Sequence, residues 1–385
     1  MAESLFIDVH ILQTVPPSNI NRDDTGSPKT ARFGGVKRAR VSSQAWKKAT
    51  RDLFPKMLDK NEIGQRTVHA VDMIADIIEE LRPDIDYNQA VEAAEKVLSA
   101  TGINVETTKG NVTKYLLFIS PRQAQALANL AVQSIESGDA VKNKAAKDIL
   151  DIKKNPLLNA IDVAMFGRMV TDVPDLNVDA SVQVAHAIGI GRMEPEFDYF
   201  TALDDRSPED NAGAAMIETT EFTSATMYRY ANIDVRHLCE NLGSARVACR
   251  GIEAFLQSFI MSMPTGKQNS FANRTLPAAI LIQIRDSQPV SLVNAFEKPV
   301  EAQSGKGQVE IACERLAAQD KAINSAFGLE PQKSFILVSS PDAKGLPEAI
   351  PEAQEVNLLK TAVEKISRIC SEFLEANGYK SEGEE

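Results

Sequence analysis

Between Met57 and about Arg168 the chain runs mainly in helical period, and strand-like segments lie on both sides of that block. Apolar residues recur at three- and four-residue spacing over 70–81, 88–101, 122–137 and 140–150, with a strand or strand pair expected in 109–119. Before the block, LFIDVHIL (5–12) alternates as a strand. Leu5, Ile7, Val9 and Ile11 line one face, and Phe6, Asp8, His10 and Leu12 the other. A loop follows over 15–28, then a short strand at 39–41. Ser42 or Ser43 caps a helix that runs to about Phe54 and stops at Pro55. After the block come strands at 176–189 and 218–235, a long helix at 236–263, strands at 278–285 and 334–339, and helices at 305–326 and 353–377. The expected fold is α+β: a split βαβ, ferredoxin-like core whose antiparallel sheet is backed by helices, with a large helical insertion.

Charge is unevenly spread in this chain. The 385 residues carry a formal −11, yet Asn21–Arg51 (NRDDTGSPKTARFGGVKRARVSSQAWKKATR) holds nine Lys/Arg against two acids. One basic island in an acidic protein is a footprint for a polyanion. The bland alternative is a solvated basic face that balances acidic neighbours in the fold or in a partner. No segment has the roughly 18 apolar residues that span a bilayer. MAESLFIDVHIL lacks the basic start and long apolar run of a signal peptide, so a soluble cytoplasmic protein is expected. The cysteines (Cys239, Cys249, Cys313, Cys370) show no CxxC spacing and read as buried thiols.

Helical phasing sharpens the island. Gln44, Lys47, Lys48 and Arg51 fall at i, i+3, i+4 and i+7, while Trp46, Ala49 and Leu53 lie on another face. Such a helix is anchored by one side and offers cations from the other. Serine hydroxyls and helix N-terminal amides suit phosphate oxygens. One Trp and one Phe do not make a base-stacking platform, so backbone contact is favoured over base reading. Asp23-Asp24 could bind a cation for phosphodiester cleavage, but no further oxygen ligand stands at a readable spacing; loop Asp/Asn runs more often shape turns. Gly266-Lys267-Gln268 lacks the spacing of a phosphate-binding loop, which leaves Lys267 as a single phosphate contact. Residues 194–210 carry seven acids and one base, read as a hairpin-like excursion. Met193, Phe197, Tyr199 and Phe200 near its start form either an apolar wedge between bases or a cluster that packs its own loop. His10, His69, His186 and His237 are scattered; none is assigned a catalytic role, and no metal or cofactor is expected.

SLFIDVHILQTVPPSNINRDDTGSPKTARFGGVKRARVSSQAWKKATR closely resembles the start of the CasC family, the backbone subunits of the type I-E CRISPR Cascade complex. FGRMV (166–170), NVDASVQVAHAIG (177–189), DYFTALDD (198–205) and YRYANIDV (228–235) carry the resemblance onward. It implies a hand-shaped protein. A modified RRM-like palm would comprise 1–56 and 166–385, helical fingers 57–165, and a thumb loop about 190–224. It further implies copies stacked along CRISPR RNA, kinking the guide periodically and presenting it to target DNA in antiviral defence, beside other Cascade subunits, with cleavage left to a separate nuclease. By resemblance, Arg22, Lys29, Ser42, Gln44, Lys47 and Arg51 would contact guide phosphates. Met169 and Phe200 would pack at the kink, with Phe197 and Tyr199 as neighbouring choices for the wedge. Lys48 on the same helix face, Arg168 beside Met169, and Lys267 complete the expected RNA-binding set. The expectation is a non-enzymatic subunit; the rival is a metal-dependent endoribonuclease using Asp23 or Asp24.

Overall fold

A computed structural model describes residues 4–106, 108, 110–202, 216–303 and 305–380. The fold is α+β and centres on β1 (Phe6–Ser18). Antiparallel neighbours flank β1 on both sides: Met216–Asp234 on one, Ala279–Arg285 on the other. The sheet runs Gln354–Glu355, Lys333–Val338, Ala279–Arg285, β1, Met216–Asp234, Ala187–Gly189, β3 (Val36–Val41) and β2 (Thr30–Phe33). Among the described residues, only the pair Lys333–Val338 with Gln354–Glu355 is parallel.

The alternation in β1 sorts two cores, one on each face of the sheet. Ile7, Val9 and Ile11 pack with Trp46, Ile252, Phe255 and Phe259. Leu12 packs with Tyr228, Phe296, Ile311 and Leu316. Helices therefore cover both faces, and Asp8, His10 and Gln13 of β1 are buried and must be partnered. Asp8 pairs with Arg285 at 3.1 Å and accepts from the Tyr230 hydroxyl at 2.7 Å. His10 Nδ1 lies 2.8 Å from the Tyr228 hydroxyl. His10 is thus a satisfied core residue on that nitrogen.

Several elements differ from the sequence expectation for identifiable reasons. β1 runs on through Pro16 and Pro17 to Ser18, where a loop is expected. A register shift between Val15 and Ser18 takes those prolines out of the ladder. The expected helix 236–263 is two helices, Val235–Leu242 and Ala245–Met261. Gly243 closes the first at φ 68°, and the Ser244 hydroxyl accepts from Val247 N to start the second. The single strand expected at 176–189 is two short ones, Val182–Val184 and Ala187–Gly189, both on the long strand Met216–Asp234. Segment 109–119 supplies two strands to different ribbons: Val112–Thr113 pairs Val105–Glu106, and Leu117–Ile119 pairs Gln65–Thr67.

The block after Met57 builds its own core. Helices Ala70–Leu81, Tyr87–Ala100, Pro121–Ser137 and Asn143–Leu150 bury Ile74, Ile78, Ala94, Leu98, Leu127 and Ala128 together. Capping boxes at Asp86/Gln89 and Ser120/Gln123 fix two of the starts. All four cysteines are free and buried. No described helix is long and apolar enough to cross a membrane. Glu196–Ala202 pairs with the start of Met216–Asp234 as a hairpin. Residues 203–215, with the rest of the acidic excursion, and the acidic end 381–385 lie outside the described residues.

Candidate nucleic-acid interface

The basic island folds as a loop, a hairpin and α1 (Ser43–Leu53). Gly34 and Gly35 form the two-residue turn between β2 and β3, at φ 57° and 80°, the left-handed pair that such a turn requires. Gly34 also approaches the Glu297 carbonyl closely enough that a Cβ would lie 1.6 Å from its oxygen. Beside that turn Arg38 is fully buried. Its guanidinium donates to the carbonyls of Phe33, Gly189, Ile190, Phe296 and Glu297 at 2.5–3.2 Å. It ties the hairpin to its neighbours and offers nothing to solvent.

Ser42 caps α1: its hydroxyl accepts from Ala45 N at 3.2 Å. Its own amide donates to Asn21 Oδ1 at 2.8 Å, so the Arg22 loop is fastened to the start of the helix. Lys29 N returns to Asn21 O at 2.9 Å, and Asn19 Nδ2 donates to Gly26 O and Glu221 O. Gly266 packs on the same loop, where a Cβ would lie 2.4 Å from Ile20 O. Three distant segments therefore meet at Asn19–Asn21, and they bring Arg22, Lys29, the start of α1 and Lys267 to one place. Among the described residues, none of Arg22, Lys29, Lys47 and Lys267 has a carboxylate within ion-pair distance.

The face of α1 is more divided than its phasing implies. Trp46 and Thr50 are its buried residues. Under Trp46 sits Arg229, 3.7 Å from the ring, buried and bonded to Gln13 Oε1 and Phe259 O. Burial without a carboxylate lowers its pKa to about 9. Gln44 and Lys48 are exposed, and Lys48 pairs with Asp52 at 2.7 Å. Lys47 stands 5.5 Å over the Phe166 ring; burial first, then the Arg66 charge, holds its ammonium below the usual range. Arg51 turns inward, with Nε and Nη2 each 2.9 Å from Asp162 Oδ2 and Nη2 donating to Gly64 O at 3.3 Å. Asp162 is fully buried and also takes Gly64 N at 2.7 Å. Burial pushes its carboxyl above the ordinary range despite Arg51.

The remaining expected residues separate. Met169 is 79% exposed, three residues beyond Phe166. Neighbouring Arg168 is buried, donating to Leu176 O, Leu150 O and Gln123 Oε1. Its Nε, Nη1 and Nη2 are all engaged inside the fold. On the hairpin strand Glu196–Ala202, Phe197 and Tyr199 are the exposed rings, 67% and 62%, and Phe200 on the opposite face is half-buried. Met193 is buried. Asp23 Oδ1 accepts from Thr25 Oγ1, Thr25 N and Ser27 N at 2.7–3.0 Å, which shapes the turn and holds the carboxyl below its usual range. Two positions near the island lie outside the expected RNA-binding set. Arg66 is exposed beside α1, opposite Phe118 in the register of a two-strand ribbon. His186 Nδ1 lies 3.1 Å from Arg40; burial, then Arg40 and Lys29, depresses its pKa.

The chain resembles solved structures over nearly its whole length. One, "CRISPR RNA-guided surveillance complex, pre-nicking", superposes with a TM-score of 0.80 at 28% identity over 95% of this chain and 100% of that one. Another, "CRISPR RNA-guided surveillance complex", gives 0.72 at 24% identity over 94% and 99% and supports the fold. No curated protein sequence matches. The family model described as CT1975-like protein (Cas_CT1975) matches residues 7–365. The chain therefore belongs to the CT1975-like protein family, and its CasC-like reading as a Cascade backbone subunit stands.

Proposed function

We propose that this chain is a non-catalytic CRISPR RNA-binding subunit that grips the guide backbone without reading its sequence. The observation that carries the reading is the meeting of three segments at Asn19–Asn21, which gathers Arg22, Lys29, α1 and Lys267 with no acid pairing Arg22, Lys29, Lys47 or Lys267 among the described residues. Like charges kept together and unpaired are unfavourable until a polyanion arrives. The site lacks exposed aromatic rings on α1 itself, which suits a subunit that must accept any guide, with base pairing left to select the target DNA. Met169 supplies an apolar edge at the kink, and the wedge from the hairpin is Phe200 or one of the exposed rings Phe197 and Tyr199.

The strand order supports a ferredoxin-like, RRM-like palm. Taking β1 as the first strand, Val182–Val184 with Ala187–Gly189 as the second, Met216–Asp234 as the third and Ala279–Arg285 as the fourth, the order is 4-1-3-2. On this reading 57–165 are the fingers, 1–56 and 166–385 the palm, and about 190–224 the thumb. Copies of the chain stack along the guide with other Cascade subunits, in the cytoplasm, as part of a type I-E system.

Counterion release tests the grip. If Arg22, Lys29, Lys47 and Lys267 reach phosphates, single-stranded RNA binding has a log–log salt slope near −2.8, from about −0.7 per contact. Lys47→Ala flattens the slope by about 0.7 and weakens all RNA sequences alike; a loss confined to one sequence contradicts backbone gripping. The rival endoribonuclease is tested by incubating the RNA-loaded protein with complementary RNA and Mg²⁺. Periodic cuts abolished by Asp23→Ala or Asp24→Ala would overturn the non-enzymatic reading. The turn bonds that occupy Asp23 Oδ1 speak against it.

A further inference from the structure

Arg66 belongs to none of the segments that make up the basic island. It lies in the short strand Gln65–Thr67, at the entrance to the helical block. Three contacts bring that strand to α1. Arg51 Nη2 donates to Gly64 O, two residues before Arg66. Asp162 accepts from both Arg51 and Gly64 N. Phe118, directly across the ribbon from Arg66, carries two guanidinium groups: Arg51 Cζ at 4.6 Å from the ring centroid and Arg66 Cζ at 5.5 Å. Lys47 stands over Phe166 on the same side of α1, close enough that Arg66 disfavours its charged form.

Three cations thus converge where the helix meets the first strand of the insertion. The acid that faces them, Asp162, is fully buried and already bonded to Arg51 and Gly64. No carboxylate pairs with Arg66 or Lys47 among the described residues. The rings of Phe166 and Phe118 lie at cation–π distance from Lys47 and Arg66, an attraction that favours the charged forms without an acid partner.

We infer that Lys47 and Arg66 form a single phosphate seat closed from two sides, α1 supplying one cation and the first strand of the helical insertion the other. The inference rests on the RNA-binding reading above and adds to it a contact from outside the basic island. A phosphate in that seat relieves the repulsion between the two cations. It also ties the guide backbone to both the sheet-bearing part and the helical part of the chain, which makes the relative placement of the two matter for binding.

The test measures single-stranded RNA affinity of the full chain from 0.05 to 0.5 M salt for wild type, Arg66→Ala, Arg66→Lys, Lys47→Ala and the double variant. Arg66→Ala is expected to flatten the slope by about 0.7, a loss that grows roughly fivefold between 0.5 M and 0.05 M salt. Arg66→Lys is expected to retain the slope. The double variant is expected to lose less than the product of the single losses, since one phosphate is shared. Urea unfolding followed by Trp46 fluorescence checks that the Arg66 variants keep α1 packed; a shifted midpoint with an unchanged slope makes Arg66 a packing residue and overturns the seat. A slope that Lys47→Ala flattens and Arg66→Ala leaves alone also overturns it, while the RNA-binding reading survives. Slopes unchanged by either variant remove both.

Discussion

Arg51→Ala is a substitution that a sequence reading would score as the loss of one phosphate contact, and the structure predicts a different primary effect. Arg51 holds Asp162 through two 2.9 Å contacts, and Asp162 has no exposure to water. Removing the guanidinium leaves a buried carboxylate with one remaining donor, Gly64 N. Breaking one partner from such a pair costs about 3–5 kcal/mol. By contrast Lys48–Asp52, exposed by 76% and 56%, is an i,i+4 surface pair worth only about 0.3–0.5 kcal/mol. The assay is urea unfolding followed by Trp46, the single tryptophan, which is buried within α1 itself. The pH dependence carries the mechanism. Asp162 has its folded pKa raised above the unfolded value, so its protonated form favours the folded state and stability is lost as pH rises through the window between the two values. Removing Arg51 raises the folded value further. The deficit of Arg51→Ala is therefore largest at pH 7.5 and narrows as pH falls toward 5, and adding Asp162→Asn restores most of it. A variant within 1 kcal/mol of wild type, or a deficit indifferent to both pH and Asp162→Asn, would refute this account.

The turn and the buried arginine give stability tests in the same assay. Gly34→Ala meets the Glu297 carbonyl at 1.6 Å and a left-handed φ, and is expected to cost more than about 2 kcal/mol; Gly35→Ala, with open space and φ 80°, costs about 1. Equal losses would contradict the close approach. Arg38→Met, which strips five carbonyls of their donor, lowers stability by more than about 2 kcal/mol and leaves the RNA salt slope unchanged. His186 titrates below its ordinary range beside Lys29 and Arg40; a phosphate there favours its charged form, so RNA binding tightens as pH falls from 7.5 to 5.5, and His186→Gln flattens that profile. Met169→Ala leaves the unfolding midpoint in place, since the side chain is exposed, and weakens RNA binding by up to about 1.5–3 kcal/mol if RNA covers that side chain at the kink. A shifted midpoint with unchanged RNA affinity would place Met169 in packing instead.

The sequence by itself determined the elements whose signals are local. The helix of Ser43–Leu53 starts at its serine cap and stops before Pro55 because capping and the missing proline amide act within one turn. The four helices after Met57 fall within two or three residues of their periodic patterns because each buries a stripe. The concentration of cations in Asn21–Arg51 was legible for the same reason: charge is a property of composition. Which of those cations face solvent was not. Arg38 and Arg51 look like Lys29 and Lys47 in the sequence, yet the partners that turn them inward, Phe296, Glu297, Asp162 and Gly64, come from 13 to 259 residues away. The same distance hid Arg66, which meets α1 across its cross-strand neighbour Phe118. A guanidinium reads as a surface charge until tertiary packing supplies carbonyls and a carboxylate within hydrogen-bond reach, and long-range contacts of that kind leave no period or spacing in the chain.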